Sequence, residues 1–272
     1  MTALRRSQWF PSLLSALPLL LATAGPSRAD LPQIKDRGTL RVLAVVLDEE
    51  PEFFSTKPGQ APGFDHEILG GFANLHRLKL EVVTIKGWDA LIPALLKNEG
   101  DLIGSRFTVT EARKKQVVFT GEVFPTRHVV MTRKPAPRVE TLDQLRAQKI
   151  GVVKGTSMLE SLTAAGIPAG SIDTSIASGT LREVMRSGRI NCTVDDVAGA
   201  ILSARREPEL QLGMFLGPPG HYAYAVRPED KELLAALNEY VENLRRTQSW
   251  NRLVVKYFGE AAVEVLKKAR GQ

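Results

Sequence analysis

Short apolar segments alternate with amphipathic helical segments along most of this chain. Residues 38–46, 78–85, 149–153 and 190–194 have the composition and length of strands. Segments such as Trp88–Leu96 lie between them and place apolar residues at helical spacing. Because strands that alternate with helices form parallel sheets covered by helices on both faces, the pattern predicts an α/β fold. A chain of 272 residues is long enough for two such units.

The composition is that of a globular protein, and the charge argues against a nucleic-acid partner. The chain is 43% apolar and 24% charged, with a formal net charge of +6. Three of the positive charges, on Arg5, Arg6 and Arg28, precede Asp30, so the rest of the chain has a net charge of only +3. No long block of Lys or Arg is present to form a basic patch.

The cysteine, histidine and serine patterns predict neither a metal site nor a cofactor. Cys192 is the only cysteine, so no internal disulfide can form, and we interpret it as a small buried residue. The 4 histidines are dispersed without metal-ligand spacing, and no serine lies in a nucleophile-elbow motif. We therefore expect no catalytic residues, no metal ligands and no cofactor.

Residues 1–29 have the features of a cleavable signal peptide. Arg5 and Arg6 form a basic start, residues 13–24 form an apolar run, and Ser27 and Ala29 place small residues at the cleavage positions. The apolar run is short and contains Pro18, which disfavours a membrane span. The sequence predicts export, with an uncleaved anchor as the alternative.

The stretch 101–113 joins a strand to a helix through a polar loop. Thr110 is placed to cap the helix that follows, so the loop presents backbone N–H groups and the positive end of a helix dipole. Both favour an anion, and Arg113 adds a planar guanidinium that can bind a carboxylate through two hydrogen bonds. The alternative is an ordinary surface arginine behind a turn.

Two further polar loops follow strands in the second half of the chain. Thr156 and Ser157 open one helix and can donate hydrogen bonds, whereas Asp195 and Asp196 end a strand and can accept them. Ligands of open α/β sheets bind at the carboxyl ends of strands. The three loops together predict a cleft between two lobes that close on a ligand, although either aspartate could instead cap its helix.

The stretch 101–120 resembles the ligand loop of the family 3 extracellular solute-binding proteins, the periplasmic amino-acid receptors of ABC importers. The resemblance extends over about 35–260 and includes Gly63-Phe64-Asp65, Trp88–Leu95 and Trp250–Gly259. It implies a periplasmic binding protein-like fold, in which two α/β lobes are joined by a two-strand hinge with the ligand cleft between them. The expected division is 1–29 signal peptide, 30–131 and 224–272 lobe 1, and 132–223 lobe 2.

The resemblance also implies roles for individual residues. By position, Arg113 would bind the α-carboxylate of the ligand, and Thr108 and Ser105 would receive its α-amino group. The ammonium would also need a carboxylate. Counting from Gly188 without a gap places the family's ammonium-binding aspartate at Asp196. Aligning the Asp-Asp pair with the pair that is frequent in the family places it at Asp195 instead, and we prefer Asp196.

Two departures from the family pattern bear on the ligand. Arg106 stands where Gly or Ser is usual, and it could bind a second acidic group or pair with Glu49, Glu50 or Asp196. If that pairing forms in the empty cleft, we expect a ligand other than a standard amino acid. The family segment whose aromatic residue covers the ligand side chain has a different sequence here. Phe53 or Phe54 is the candidate for this covering role.

These observations predict a monomeric solute-binding protein of the periplasm. It would capture a small polar ligand, an amino acid or a related carboxylate, for the permease of an ABC transporter. Two alternatives stay open: an accessory or sensory binding subunit of a periplasmic oxidoreductase system, and a dehydratase-like enzyme on the same fold.

Overall fold

The computed structural model describes residues 30–272, in which the chain forms two five-stranded sheets with helices packed around them. The predicted signal peptide lies outside the described residues. The strands are β1 Thr39–Ala44, β2 Lys79–Thr84, β3 Leu102–Ile103, β4 Val118–Phe119, β5 Phe124–Arg133, β6 Ile150–Val153, β7 Ile172–Ile176, β8 Cys192–Asp196, β9 Leu210–Tyr222 and β10 Ala225–Val226.

The helices alternate with these strands, as the sequence pattern predicts. They are α1 Leu31–Arg37, α2 Phe64–Leu75, α3 Leu91–Leu96, α4 Glu111–Lys114, α5 Leu142–Arg146, α6 Ser157–Ala164, α7 Leu181–Arg186, α8 Val197–Arg206, α9 Lys231–Arg246, α10 Gln248–Phe258 and α11 Ala261–Ala269. Short 3₁₀ turns at Trp88–Ala90 and Ala169–Ser171 precede α3 and β7. No helix in residues 30–272 is long and apolar enough to cross a membrane.

Each sheet has a parallel part and an antiparallel part. The first sheet has the order β2-β1-β3-β10-β4, with β1 parallel to β2 and β3, and β10 antiparallel to β3 and β4. The second has the order β7-β6-β8-β5-β9, with β6 parallel to β7 and β8, and β5 antiparallel to β8 and β9. We call the first sheet with its helices lobe 1 and the second sheet with its helices lobe 2. The predicted two-lobed α/β architecture is confirmed.

The chain passes between the sheets twice, at 120–123 and at 223–224. The sequence placed the first passage after Met131. In the structure β5 begins at Phe124, and it pairs with β9 from Tyr222 to Leu210, so its whole length lies in the second sheet. The exact lobe boundaries drawn from the sequence stay a prediction.

Aromatic rings pack at the passages between the lobes. The rings of Phe124 and Tyr222 stack with centroids 6.2 Å apart, and Phe258 of α10 lies 5.1 Å from Phe124. Trp250 donates from its indole nitrogen to the Val123 carbonyl at 3.0 Å. The C-terminal helices therefore cover the passages, and α11 continues onto α8 and β5 of lobe 2.

Candidate functional site

A cavity of about 70 Å³ lies between the two lobes, at the carboxyl ends of β1, β3, β6 and β8. Its apolar wall includes Leu47 and Trp88 of lobe 1 and Val152, Met158 and Leu181 of lobe 2. Its polar lining is contributed by Glu49, Glu50, Arg106, Thr108, Arg113, Thr156, Ser157, Asp195 and Asp196. Most of the side chains predicted from the three polar loops thus meet at one cavity.

Arg113 is a buried cation at this cavity. Thr110 caps α4 as expected, accepting from the Arg113 N–H at 3.3 Å. The residue is 6% exposed, and its guanidinium stacks on the Phe107 ring at 4.0 Å and donates to the carbonyls of Thr108 at 2.7 Å and Gly155 at 3.0 Å. Burial lowers the pKa of Arg113 to about 10, so the side chain is still charged at neutral pH.

The electrostatic environment of Arg113 is unusual because no acidic side chain in residues 30–272 pairs with it, and only the charge of Glu160, from beyond ion-pair distance, raises its pKa. None of the acidic side chains in residues 30–272 forms an ion pair with it. A buried charge without a counter-ion is costly, and the cost is relieved when an anion binds. Arg113 therefore has the environment of an anion-binding group.

The start of α6 faces Arg113 and contributes hydroxyl groups. Ser157 Oγ donates to Thr108 Oγ1 at 3.1 Å, which connects the two lobes across the cavity. Thr156 Oγ1 instead donates to the Val153 carbonyl at 2.8 Å, so that its hydroxyl is used within lobe 2. The backbone amides at the N-terminus of this eight-residue helix add the partial positive charge that favours an anion.

His128 is a site residue that the sequence reasoning missed. Its Nε2 lies 2.9 Å from Ser157 Oγ and its Nδ1 lies 2.6 Å from Ser161 Oγ, so the ring positions the hydroxyl that reaches Thr108. Burial lowers the pKa of His128, which favours the neutral ring. The available signal was a histidine directly before the short apolar run of residues 129–131 in β5.

Arg106 is enclosed by acidic groups, in contrast to Arg113. Its Nη1 is in close contact with Glu50 Oε2 and lies 3.5 Å from Asp196 Oδ2. The residue is 8% exposed, and its guanidinium stacks on Phe53, with its central carbon 4.4 Å from the ring centroid. Of the three partners considered from the sequence, Glu50 and Asp196 contact Arg106, while Glu49 pairs with Arg182 at 3.0 Å.

The two neighbouring aspartates differ in their surroundings. Asp196 caps α8, accepting from the Gly199 N–H at 2.9 Å, and the Tyr222 hydroxyl also hydrogen-bonds its carboxylate. Asp195 accepts from the Asp196 N–H at 2.8 Å. Burial and the charges of Asp196 and Glu50 raise the pKa of Asp195 well above its usual range, which favours its neutral form.

Ser105 and Phe53 point into lobe 1. Ser105 Oγ donates to the Val45 carbonyl at 3.1 Å, and Phe53 lies beneath the Arg106 guanidinium, with its ring 5.1 Å from that of Phe258. Their predicted ligand contacts stay a prediction. In residues 30–272 no group of three or more His, Cys, Asp or Glu side chains could hold a metal ion.

The two lobes approach each other closely at Gly155. This residue has φ +76°, and a Cβ placed on it would lie 2.7 Å from the Cα of Asp89 in lobe 1. Lys154 beside it pairs with the Asp89 carboxylate at 3.4 Å. Any side chain at position 155 would therefore hold the lobes apart.

Replacing Gly155 by Ala is expected to open the cavity and to weaken ligand binding by at least about tenfold, which is about 1.4 kcal/mol. Gly166→Ala is the matched control, because Gly166 has φ +74° but nothing within 4 Å of its Cβ position. Both variants share the backbone strain, on the order of 1 kcal/mol, and only Gly155→Ala affects the contact between lobes. Small-angle scattering should show a larger radius of gyration for Gly155→Ala alone. Equal radii and equal affinities would contradict this prediction.

Asp65 accepts a hydrogen bond from the Arg106 backbone, and its titration should make the stability of the protein depend on pH. Its Oδ2 accepts from the Arg106 N–H at 2.9 Å and its Oδ1 from the Tyr224 hydroxyl at 3.1 Å. Burial raises the pKa of Asp65 from 3.8 to about 6. Between these values the folded state keeps a proton that the unfolded state has lost, so this group's contribution to stability falls as the pH rises from about 4 to about 6.

Asp65→Asn cannot ionise and should lack this dependence. Relative to the parent, we expect the variant to gain up to about 3 kcal/mol in free energy of unfolding between pH 4 and pH 7, at about 1.4 kcal/mol per pKa unit. Urea unfolding of both proteins at the two pH values measures the difference. A mutational effect that is the same at both would show that Asp65 does not titrate in this range.

Solved structures with a similar fold are amino-acid-binding proteins. The chain resembles holo ArgBP from T. maritima with a TM-score of 0.72 and 28% identity, over 84% of this chain and 99% of that chain. It resembles the ancestral amino acid-binding protein AncCDT-1, a precursor of cyclohexadienyl dehydratase, with a TM-score of 0.74 and 27% identity, over 84% of this chain and 98% of that chain.

Curated relatives include both binding proteins and longer enzymes. The chain is 25% identical over 270 residues to a probable histidine-binding protein of Neisseria gonorrhoeae, covering 96% of this chain and 98% of that protein. It is 28% identical over 270 residues to membrane-bound lytic murein transglycosylase F of Pseudomonas putida, covering 96% of this chain. It spans only about half, 55%, of that relative's length.

A family model covers most of the described chain. The model for bacterial extracellular solute-binding proteins, family 3, matches residues 42–260, which include both sheets, apart from the first three residues of β1, and every polar residue that lines the cavity. The chain therefore belongs to the family 3 bacterial extracellular solute-binding proteins.

Proposed function

We propose that the protein captures an amino acid or a related carboxylate between its lobes and presents it to the permease of an ABC transporter in the periplasm. The observation that supports this most is Arg113, a buried guanidinium at the cavity with no anionic partner in residues 30–272. A ligand carboxylate would supply the missing charge, through the two-pronged geometry that a guanidinium offers.

The surroundings of Arg113 suit a carboxylate with a short tail. Ser157 and the N–H groups at the start of α6 lie opposite the guanidinium and can donate to the second oxygen. The apolar wall formed by Leu47, Trp88, Val152, Met158 and Leu181 would contact the rest of the ligand. The cavity volume of about 70 Å³ favours a small ligand in this arrangement of the lobes.

Contacts on both sides of the cavity support closure of the lobes over the ligand. Glu49 of lobe 1 pairs with Arg182 of α7, and Ser157 hydrogen-bonds Thr108. Such contacts must break for a ligand to enter and form again when the lobes close on it. Two-domain binding proteins hold small molecules by this kind of hinge closure. We propose a monomer that alternates between open and closed arrangements, with no catalytic turnover.

The periplasmic location rests on the sequence of residues 1–29. Cleavage after Ala29 would release a protein that begins at Asp30, the residue that caps α1 through its side chain. Mass spectrometry of the protein purified from a periplasmic extract would test this, because an uncleaved chain found in the membrane fraction would contradict it.

A thermal-shift screen of amino acids, carboxylates, dicarboxylates and amines tests the function directly. We expect stabilisation by at least one carboxylate, confirmed by calorimetry with one ligand per chain, and compaction in small-angle scattering at saturation. Product analysis of the same mixtures should show the ligand unchanged. Conversion of the ligand would favour a dehydratase-like enzyme, and stabilisation by amines alone would contradict the role of Arg113.

A further inference from the structure

We propose that the ligand is a carboxylate without an ammonium group, because Arg106 already occupies the position of a cation among the carboxylates of the cavity. This inference rests on the proposed capture of a carboxylate by Arg113 and specifies the ligand class further. It concerns the acidic side of the cavity, where an α-amino acid would have to place its ammonium.

Both carboxylates nearest Arg106 already face its positive charge. Asp196 accepts from the Gly199 N–H at 2.9 Å with one oxygen, while its other oxygen lies 3.5 Å from Arg106 Nη1. Glu50 contacts the same guanidinium nitrogen directly. An incoming ammonium would therefore compete with a resident guanidinium for both acceptors.

The two remaining acids of the cavity offer no free charge either. Glu49 pairs with Arg182, whose Nη2 and Nε lie 3.0 Å and 3.1 Å from Glu49 Oε2. Asp195 is next to Asp196 and near Glu50, and its burial together with their charges raises its pKa, which favours the neutral form. The acidic side of the cavity is thus balanced by Arg106 and Arg182, and Arg113 is the charge that is left uncompensated.

Arg106 is held in place independently of any ligand. Its backbone has φ +48° and donates to the buried Asp65 carboxylate at 2.9 Å, and its guanidinium stacks on Phe53. Moving it aside would break these contacts and leave Glu50 and Asp196 without a cation. A buried ammonium that finds no carboxylate is strongly disfavoured. The cavity thus favours a net anion over a zwitterion.

Matched pairs of ligands provide the test. Calorimetry at pH 7.5 would compare propanoate with L-alanine, and 3-methylbutanoate with L-valine, on the exported chain. We expect the acid that lacks the amino group to bind at least tenfold more tightly in each pair that binds. Equal or tighter binding of the amino acids would overturn the inference while leaving the proposed function intact. Absence of binding by every carboxylate in the screen would overturn the proposed function, and this inference with it.

Variants of Arg106 separate its charge from its size. Arg106→Lys keeps a cation beside Glu50 and Asp196 and should keep the ranking within each pair. Arg106→Gly removes the cation, suits the positive φ, and leaves room for a ligand ammonium, so that the ranking should shift at least tenfold toward the amino acids. An unchanged ranking in folded Arg106→Gly would show that Arg106 does not set the ligand class. If Arg106→Gly fails to fold, the ligand pairs measured on the parent and on Arg106→Lys still show whether the cavity prefers acids without an amino group.

Discussion

Replacing Arg113 by Met should remove most of the affinity for carboxylates and, at the same time, stabilise the ligand-free protein. The loss of binding should be about 2–5 kcal/mol, the range for truncating one side of a buried, hydrogen-bonded charge pair. In terms of affinity, binding should become weaker by a factor that ranges from about 30 to several thousand. The gain in stability follows because the parent buries this guanidinium without an anionic partner in the described chain.

Arg113→Lys separates charge from geometry in the same position. Lysine keeps the positive charge but cannot bind a carboxylate through two parallel hydrogen bonds, so its affinity should lie between those of the parent and Arg113→Met. Arg127→Met serves as the control, because Arg127 stacks on Phe215 in lobe 2 at 4.3 Å and is half-buried but does not line the cavity. Calorimetry gives the affinities and thermal unfolding without ligand gives the stabilities. Parent-like affinity in Arg113→Lys and Arg113→Met would refute the anchoring role.

Arg106→Met should have the opposite effect on the ligand-free protein. Removing one partner of a buried ion pair leaves an uncompensated charge and costs about 3–5 kcal/mol. Glu50 and Asp196 would both be left in this state, since the Arg106 guanidinium contacts both. For a protein of this size the melting temperature should fall on the order of 10 °C.

A second substitution tests whether charge is the cause. Glu50→Gln in the Arg106→Met background removes one of the two orphaned charges and should recover part of the lost stability, whereas Glu50→Gln alone should destabilise the parent. A double-mutant cycle from urea unfolding measures the coupling between the two side chains. Additive effects in that cycle would mean that the contact between Arg106 and Glu50 contributes nothing to stability.

The contrast between these two arginines depends on residues that are distant in sequence. Both belong to the same short stretch, and by composition alone each is a cation next to a polar loop. Arg113 packs against Phe107 and two carbonyls, whereas Arg106 lies among Glu50 of one lobe and Asp196 of the other. Opposite effects of the two substitutions on stability would therefore report directly on tertiary environment.

Local chemistry determined several features that could be predicted from the sequence. The alternation of strand and helix patterns specified the parallel parts of both sheets, because periodicity depends only on neighbouring residues. The Thr110 cap and the loop before Arg113 follow from the same short-range rules. The family motif then assigned Arg113 to the ligand, and its lack of an ionic partner is consistent with that role.

The tertiary structure decided the rest, for the physical reason that pairing partners come from separate parts of the chain. The sequence left Arg106 with Glu49, Glu50 and Asp196 as possible partners, and only the approach of the two lobes selects among them. The pairing of β5 with β9 likewise joins segments that are far apart in the chain. The position of His128 behind Ser157 likewise results from β5 packing beside the start of α6, which no local pattern records.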